Sequence, residues 1–135
     1  MFWLSHHHAD ELDRCWKIFG VHICARCLGT YPVLFLAIAL QFAGKAPLDH
    51  PLDLPLSLAL IAPALADWAY GRFFPHRFSN AWRTATGILL GLGLSRSLYV
   101  HLQRPLPATL VAQLALVTAV ATPVILKTYR RGGSR

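Results

Sequence analysis

Cys15, Cys24 and Cys27 stand within one thirteen-residue stretch, and His6, His7, His8 and His22, four of the seven histidines, lie in or beside it. Thiolate and imidazole together are a donor set for a soft or borderline metal ion. Cys24-Ala25-Arg26-Cys27 is a C-x-x-C hook, a spacing that lets two thiolates reach one tetrahedral ion at about 2.3 Å. Cys15 and one histidine, His8 or His22, then complete a Cys₃His set. Such ligands suit Zn²⁺, with iron the softer alternative. Arg14, Lys17 and Arg26 supply positive charge that stabilises thiolates and offsets the charge of the centre. Two other readings of the same residues stay open: a reactive Cys24/Cys27 dithiol at a helix N-terminus, and plain packing cysteines. The odd third cysteine favours coordination.

The elements that must position these groups are apolar. Of 135 residues, 55% are hydrophobic and only 14% charged, while thirteen Lys and Arg against six Asp and Glu give a formal charge of +7. A soluble domain usually carries about 25% charged residues, so a basic excess on this background points to a membrane. At ~20 apolar residues per span, the chain has room for about four transmembrane helices. Apolar runs at 28–43, 54–70, 82–102 and 106–126 fill that number, and Ser79 or Asn80 is placed to cap the third. The expected fold is all-α: a short Cys/His-rich segment over 1–27, a four-transmembrane-helix bundle over 28–126 and a basic tail over 127–135. The leading residues lack the cationic start and continuous apolar core of a signal peptide. The third and fourth runs also lack the charged stripe of a soluble amphipathic helix.

Cations decide the expected orientation. Arg14, Lys17 and Arg26 precede the first span, Arg72, Arg77 and Arg83 flank the middle connection, and Lys127, Arg130, Arg131 and Arg135 follow the fourth; the alternate connections hold only Lys45 and Arg104. The positive-inside rule then puts both termini, and the cysteines, on the cytoplasmic side of the bacterial inner membrane. That compartment keeps thiols reduced. Anionic lipid headgroups account for the scattered basic residues, and a nucleic-acid partner is not expected. Trp68, Tyr70, Phe73, Phe74, Phe78 and Trp82 read as an interfacial aromatic belt. Gly87, Gly91 and Ser95 form a small-residue stripe that admits a neighbouring helix.

A second polar set lies at the same membrane face. Asp67 near the end of the second run and Arg83 at the start of the third are expected at similar depth, where a carboxylate is expensive unless neutralised. Arg83 is the expected partner of Asp67, with Asn80 and His76 nearby. A guanidinium there also suits a lipid or isoprenoid phosphate. Arg96 is expected near the opposite face, snorkelling or meeting Asp49 or Asp53. No HExxH, G-x-S-x-G or P-loop pattern occurs, so the standard hydrolase and nucleotidase readings have no support.

Cys24-Ala25-Arg26-Cys27-Leu28-Gly29-Thr30-Tyr31, preceded by Asp13-Arg14-Cys15 and Ile18-Phe19-Gly20, resembles the CARC-x-G-x-Y signature of the bacterial membrane proteins grouped as domain of unknown function 2085. Asp67 and the Asn80, Arg83, Thr86, Gly87 stretch look like that family's second and third landmarks. The family pattern has a Cys-His pair upstream of the arginine, where this chain has Ser5 and the run His6 to His8. The resemblance implies a multispanning membrane protein and supplies no reaction. Three functions compete: a membrane module with a cytoplasmic-face metal centre, structural or with an open coordination position; a thiol-disulfide oxidoreductase working through Cys24 and Cys27; and a non-catalytic accessory subunit of a membrane complex.

Overall fold

The computed structural model describes residues 14–74 and 78–132, with side chains described through Arg130. Chain order is β1 (Cys15–Ile18), β2 (Val21–Cys24), α1 (Ala25–Ala43), α2 (Asp53–Gly71), α3 (Asn80–Gln103) and α4 (Ala108–Gly132). The four expected helices are present. The antiparallel hairpin that precedes them was not anticipated, and it forms the later part of the Cys/His-rich segment expected over 1–27. Its local cause is the pair Phe19-Gly20, both at positive φ (48° and 80°), which makes the two-residue type I′ turn that matches strand twist.

Helix boundaries differ from the apolar runs in informative ways. α1 begins at Ala25, three residues before the run, because the hairpin feeds directly into it. It ends in a Schellman motif: the Ala46 amide donates to the Gln41 carbonyl at 3.0 Å and the Lys45 amide to the Phe42 carbonyl at 3.2 Å. The left-handed position is Lys45 (φ 46°), one residue beyond Gly44, the residue that follows the apolar run. Ser79 caps α3, its hydroxyl accepting from the Trp82 amide at 3.2 Å. α4 continues through Lys127, Arg130 and Arg131, residues assigned to the tail.

α3 is the central helix, with α1 packed along one side, α2 on another and α4 resting mainly on α2. Ala25–Ala43, Asp53–Gly71 and Ala108–Arg130 are long and apolar enough to cross a membrane. α3 falls outside that group because it carries Arg83, Thr84, Thr86, Ser95, Arg96, Ser97 and three glycines. Its neighbours shield it, so it can be more polar than a lipid-facing helix.

Glycines set the α1–α3 distance. A Cβ on Gly29 would collide with the Thr84 carbonyl oxygen, one on Gly87 with that of Arg26, and one on Gly91 would stand 2.6 Å from that of Thr30. Thr30 exploits the close approach, its hydroxyl donating to the Gly87 carbonyl at 3.1 Å. On the other side of α3, Gly93 admits Ile61 of α2, and its carbonyl accepts from Gln113 Nε2 of α4 at 3.0 Å.

At the end remote from the cysteines, Arg96 meets Asp53 through two bonds, Nε to Oδ1 at 2.9 Å and Nη2 to Oδ2 at 2.6 Å, and also reaches the Pro47 carbonyl. Tyr99 donates to the Ala46 carbonyl at 2.7 Å. These bonds tie the α1–α2 connection to α3. Asp53→Ala should therefore cost about 2–3 kcal/mol, somewhat under the ~3–5 kcal/mol typical of a fully buried pair. Arg104→Ala, which removes the exposed pair with Asp49, should cost under ~1 kcal/mol. Unfolding midpoints of the two variants in one detergent check that ranking.

Candidate functional site: a thiol cluster beside a buried ion pair

Hairpin register assembles the first part of the site. Cys15 pairs with Cys24 across the two strands, so the outermost residues of the hairpin face one another where it meets α1. Both are buried, at 8% and 5% exposure. Cys24 is also the N-cap residue of α1, and Cys27 lies three positions on, in the first turn. That spacing brings the two side chains to one side of the helix end, and the Cys27 thiol hydrogen-bonds with Cys24. All three residues are thiols, none joined in a disulfide. His22 lies opposite Lys17 in the hairpin, two residues from Cys24 and therefore on the same strand face.

The second part of the site differs from expectation. Asp67 is 1% exposed at its side chain, and the cation it meets is Arg26, through Nη2 to Oδ2. Arg83 is not the hydrogen-bonded partner, although it is buried and near enough to Arg26 for the two positive charges to repel. The physical reason is where α1 starts. With Ala25 already helical, Arg26 occupies the first turn and turns inward beside α2. A guanidinium at a helix N-terminus opposes the helix dipole. Asp67 offsets that cost, and its other oxygen, Oδ1, and Arg26 Nε have no hydrogen-bond partner among the described residues.

α3 clasps both parts. Asn80 Nδ2 donates to the Cys15 carbonyl at 3.2 Å, and Trp16 Nε1 donates to Thr84 Oγ1 at 3.0 Å. Thr84 donates in turn to the Ala25 carbonyl at 3.0 Å or to that of Asn80 at 2.9 Å. The hairpin base, the α1 start and the α3 start are thus one hydrogen-bonded unit. The site residues Cys15, Cys24, Cys27, Asn80, Asp67 and Arg83 converge there. Trp16 and Thr84 were missed as structural members, and Arg26, expected beside the thiols, was missed as the partner of Asp67. The C-x-x-C spacing held a signal for Arg26, since a helix starting at the first cysteine puts the intervening arginine in its first turn.

For metal binding the finding is narrower. Among the described residues, no group of three or more His, Cys, Asp or Glu side chains stands where it could hold a metal ion. His8, with His6, His7 and His76, lies outside the described residues.

A family model whose description is "Predicted membrane protein (DUF2085)" matches residues 9–96. The chain belongs to this family. The DUF2085 match takes in the hairpin, α1, α2 and α3 as far as Arg96, and with them every candidate site residue except His8. It stops before α4, the helix that contributes least to the packing around α3. No curated protein and no solved structure matches the chain. With three candidate spans among the described residues, the chain is a multi-pass membrane protein.

Proposed function

We propose that this DUF2085 protein carries a thiolate metal centre, most suited to Zn²⁺, in which Cys15, Cys24 and Cys27 are joined by an imidazole from His8 or His22. The observation that carries the reading is the hairpin register: it sets Cys15 against Cys24 at the residue where the C-x-x-C turn begins. Cys15 and Cys24 are buried and Cys27 is half-buried where the hairpin runs into α1, and drawn together these donors are the kind a closed structural zinc site uses. A bound zinc ion would keep the thiols deprotonated and cross-link hairpin to helix. The chain's own groups do the rest. Arg26 lies beside the thiols and balances their charge, Asp67 holds Arg26 in place, and Asn80 fixes the Cys15 backbone. In this reading the ion fastens the leading segment over the helix ends, at the cytoplasmic face given by the cation distribution. Stoichiometric zinc or iron in protein purified in detergent is the expected result, falling several-fold in Cys24→Ser. A wild type that is metal-free yet keeps its fold and shields its thiols from alkylation would rule the centre out.

The Cys24–Cys27 contact favours a second reading, thiol-disulfide exchange, because two thiols in hydrogen-bond contact are already near neighbours. Trapping alkylation in cells separates the two. A Cys24–Cys27 disulfide that accumulates under oxidant supports exchange, and persistently reduced thiols support the metal.

A further inference from the structure

The hairpin has two unlike faces. Its register pairs Trp16 with Ile23 and Ile18 with Val21, so strand alternation sets these four apolar side chains on one face and Lys17 and His22 on the other. None of the four is buried: Trp16 is 41% and Val21 36% exposed, and Ile18 and Ile23 are half-buried. At the tip, Phe19 is fully exposed (101%) in the left-handed region at φ 48°, a conformation that asparagine or glycine adopts at little cost and that is an outlier for a bulky side chain. An aromatic ring is thus held out at a strained position, with no contact among the described residues to offset the strain.

The level of this face is fixed by hydrogen bonds. Trp16 bonds Thr84, and Thr84 bonds the carbonyl of Ala25, the first residue of a candidate membrane span. No linker separates β2 from that span. The hairpin base therefore lies at the hydrocarbon boundary, and four residues at ~3.3 Å each carry the tip only about 13 Å from it. Trp, Phe and aliphatic groups at that level, backed by a cationic side, have the amphipathic composition of segments that lie in the interface plane.

We propose that the hairpin is a membrane-interface anchor. The Trp16/Ile18/Val21/Ile23 face and the Phe19 ring enter the lipid headgroup layer, and Lys17, on the opposite face, attracts anionic headgroups. This inference is independent of the metal centre and of which side of the membrane the hairpin occupies. The occupant is the bilayer, because the apolar face begins where a span begins and the Lys17 charge behind it complements anionic lipid.

Photo-crosslinking of the full-length chain tests it. Benzoylphenylalanine is placed at position 19, at Val21 or at Lys17, and each protein is reconstituted in bilayers of phosphatidylcholine with or without phosphatidylglycerol. Positions 19 and 21 should gain the mass of one phospholipid on illumination, several-fold more than position 17, and more with phosphatidylglycerol present. Adducts confined to the protein's own chain, to a co-purifying protein or to water would overturn the proposal, as would equal lipid labelling at all three positions. Phe19→Gly guards against a folding artefact: its melting temperature in detergent should be unchanged or higher, because the strain is relieved and no contact is lost. A marked fall in that temperature would show that the ring packs on protein, and would also overturn the proposal.

Discussion

Arg26→Ala is expected to destabilise the protein by about 3 kcal/mol, the lower part of the range for breaking a buried pair, because it strands the Asp67 carboxylate in an apolar surround. Asp67 is the more buried member, at 1% side-chain exposure against 24% for Arg26. The asymmetry predicts an order among variants. Asp67→Asn, which removes the charge and keeps the shape, should cost less than Arg26→Ala. The double variant Arg26→Ala/Asp67→Ala should recover much of the loss, since a charge no longer remains alone. Unfolding midpoints across this double-mutant cycle give the coupling directly. If the single and double variants are additive, Arg26 and Asp67 do not act as a pair, and the site loses its charge anchor.

The second large effect is steric. Gly87→Val should cost several times what Ile88→Val costs one residue away, where the side chain is 39% exposed. Even the first added carbon meets the Arg26 carbonyl backbone, which cannot rotate aside as a side chain could. Overpacking usually costs about 1–3 kcal/mol, and a contact between backbones belongs at the top of that range or above it. The displaced segment is the first turn of α1, which carries Arg26 and Cys27. Gly87→Val should therefore also speed alkylation of Cys24 and Cys27, although residue 87 touches neither thiol. A variant that loses stability while its thiols stay protected would show that α1 and the cysteines are not positioned through α3.

The stripe Gly87, Gly91, Ser95 illustrates what was legible beforehand. Spacing of four residues on a helix is enough to predict a close neighbour, and α1 lies against Gly87 and Gly91. It could not name the neighbour, since any helix with small residues would serve. Arg96 is similar: the choice between Asp49 and Asp53 turned on how the α1–α2 connection folds back, and Asp53 won while Asp49 took Arg104. The hairpin was missed because four-residue strands leave almost no periodicity, and Phe19 stands where a turn-forming asparagine or glycine would have announced a hairpin. Missing it also displaced the start of α1, and with it the expected partner of Asp67.

Composition and hydropathy alone determined that the chain is a multi-pass helical membrane protein, because the cost of polar groups in hydrocarbon leaves a chain of apolar runs few alternatives. The clustering of three cysteines near one aspartate and several arginines was also visible in one dimension. Tertiary structure alone decided that Cys15 faces Cys24, that Arg26 and not Arg83 neutralises Asp67, and that α3 lies innermost. Those outcomes depend on strand register, on a three-residue shift in a helix start and on helix packing, and the contacts that join them, Arg26 with Asp67 and Trp16 with Thr84, link residues 41 and 68 positions apart. Local sequence patterns carry the cost of placing a residue in lipid, but not the identity of the residue that will lie beside it.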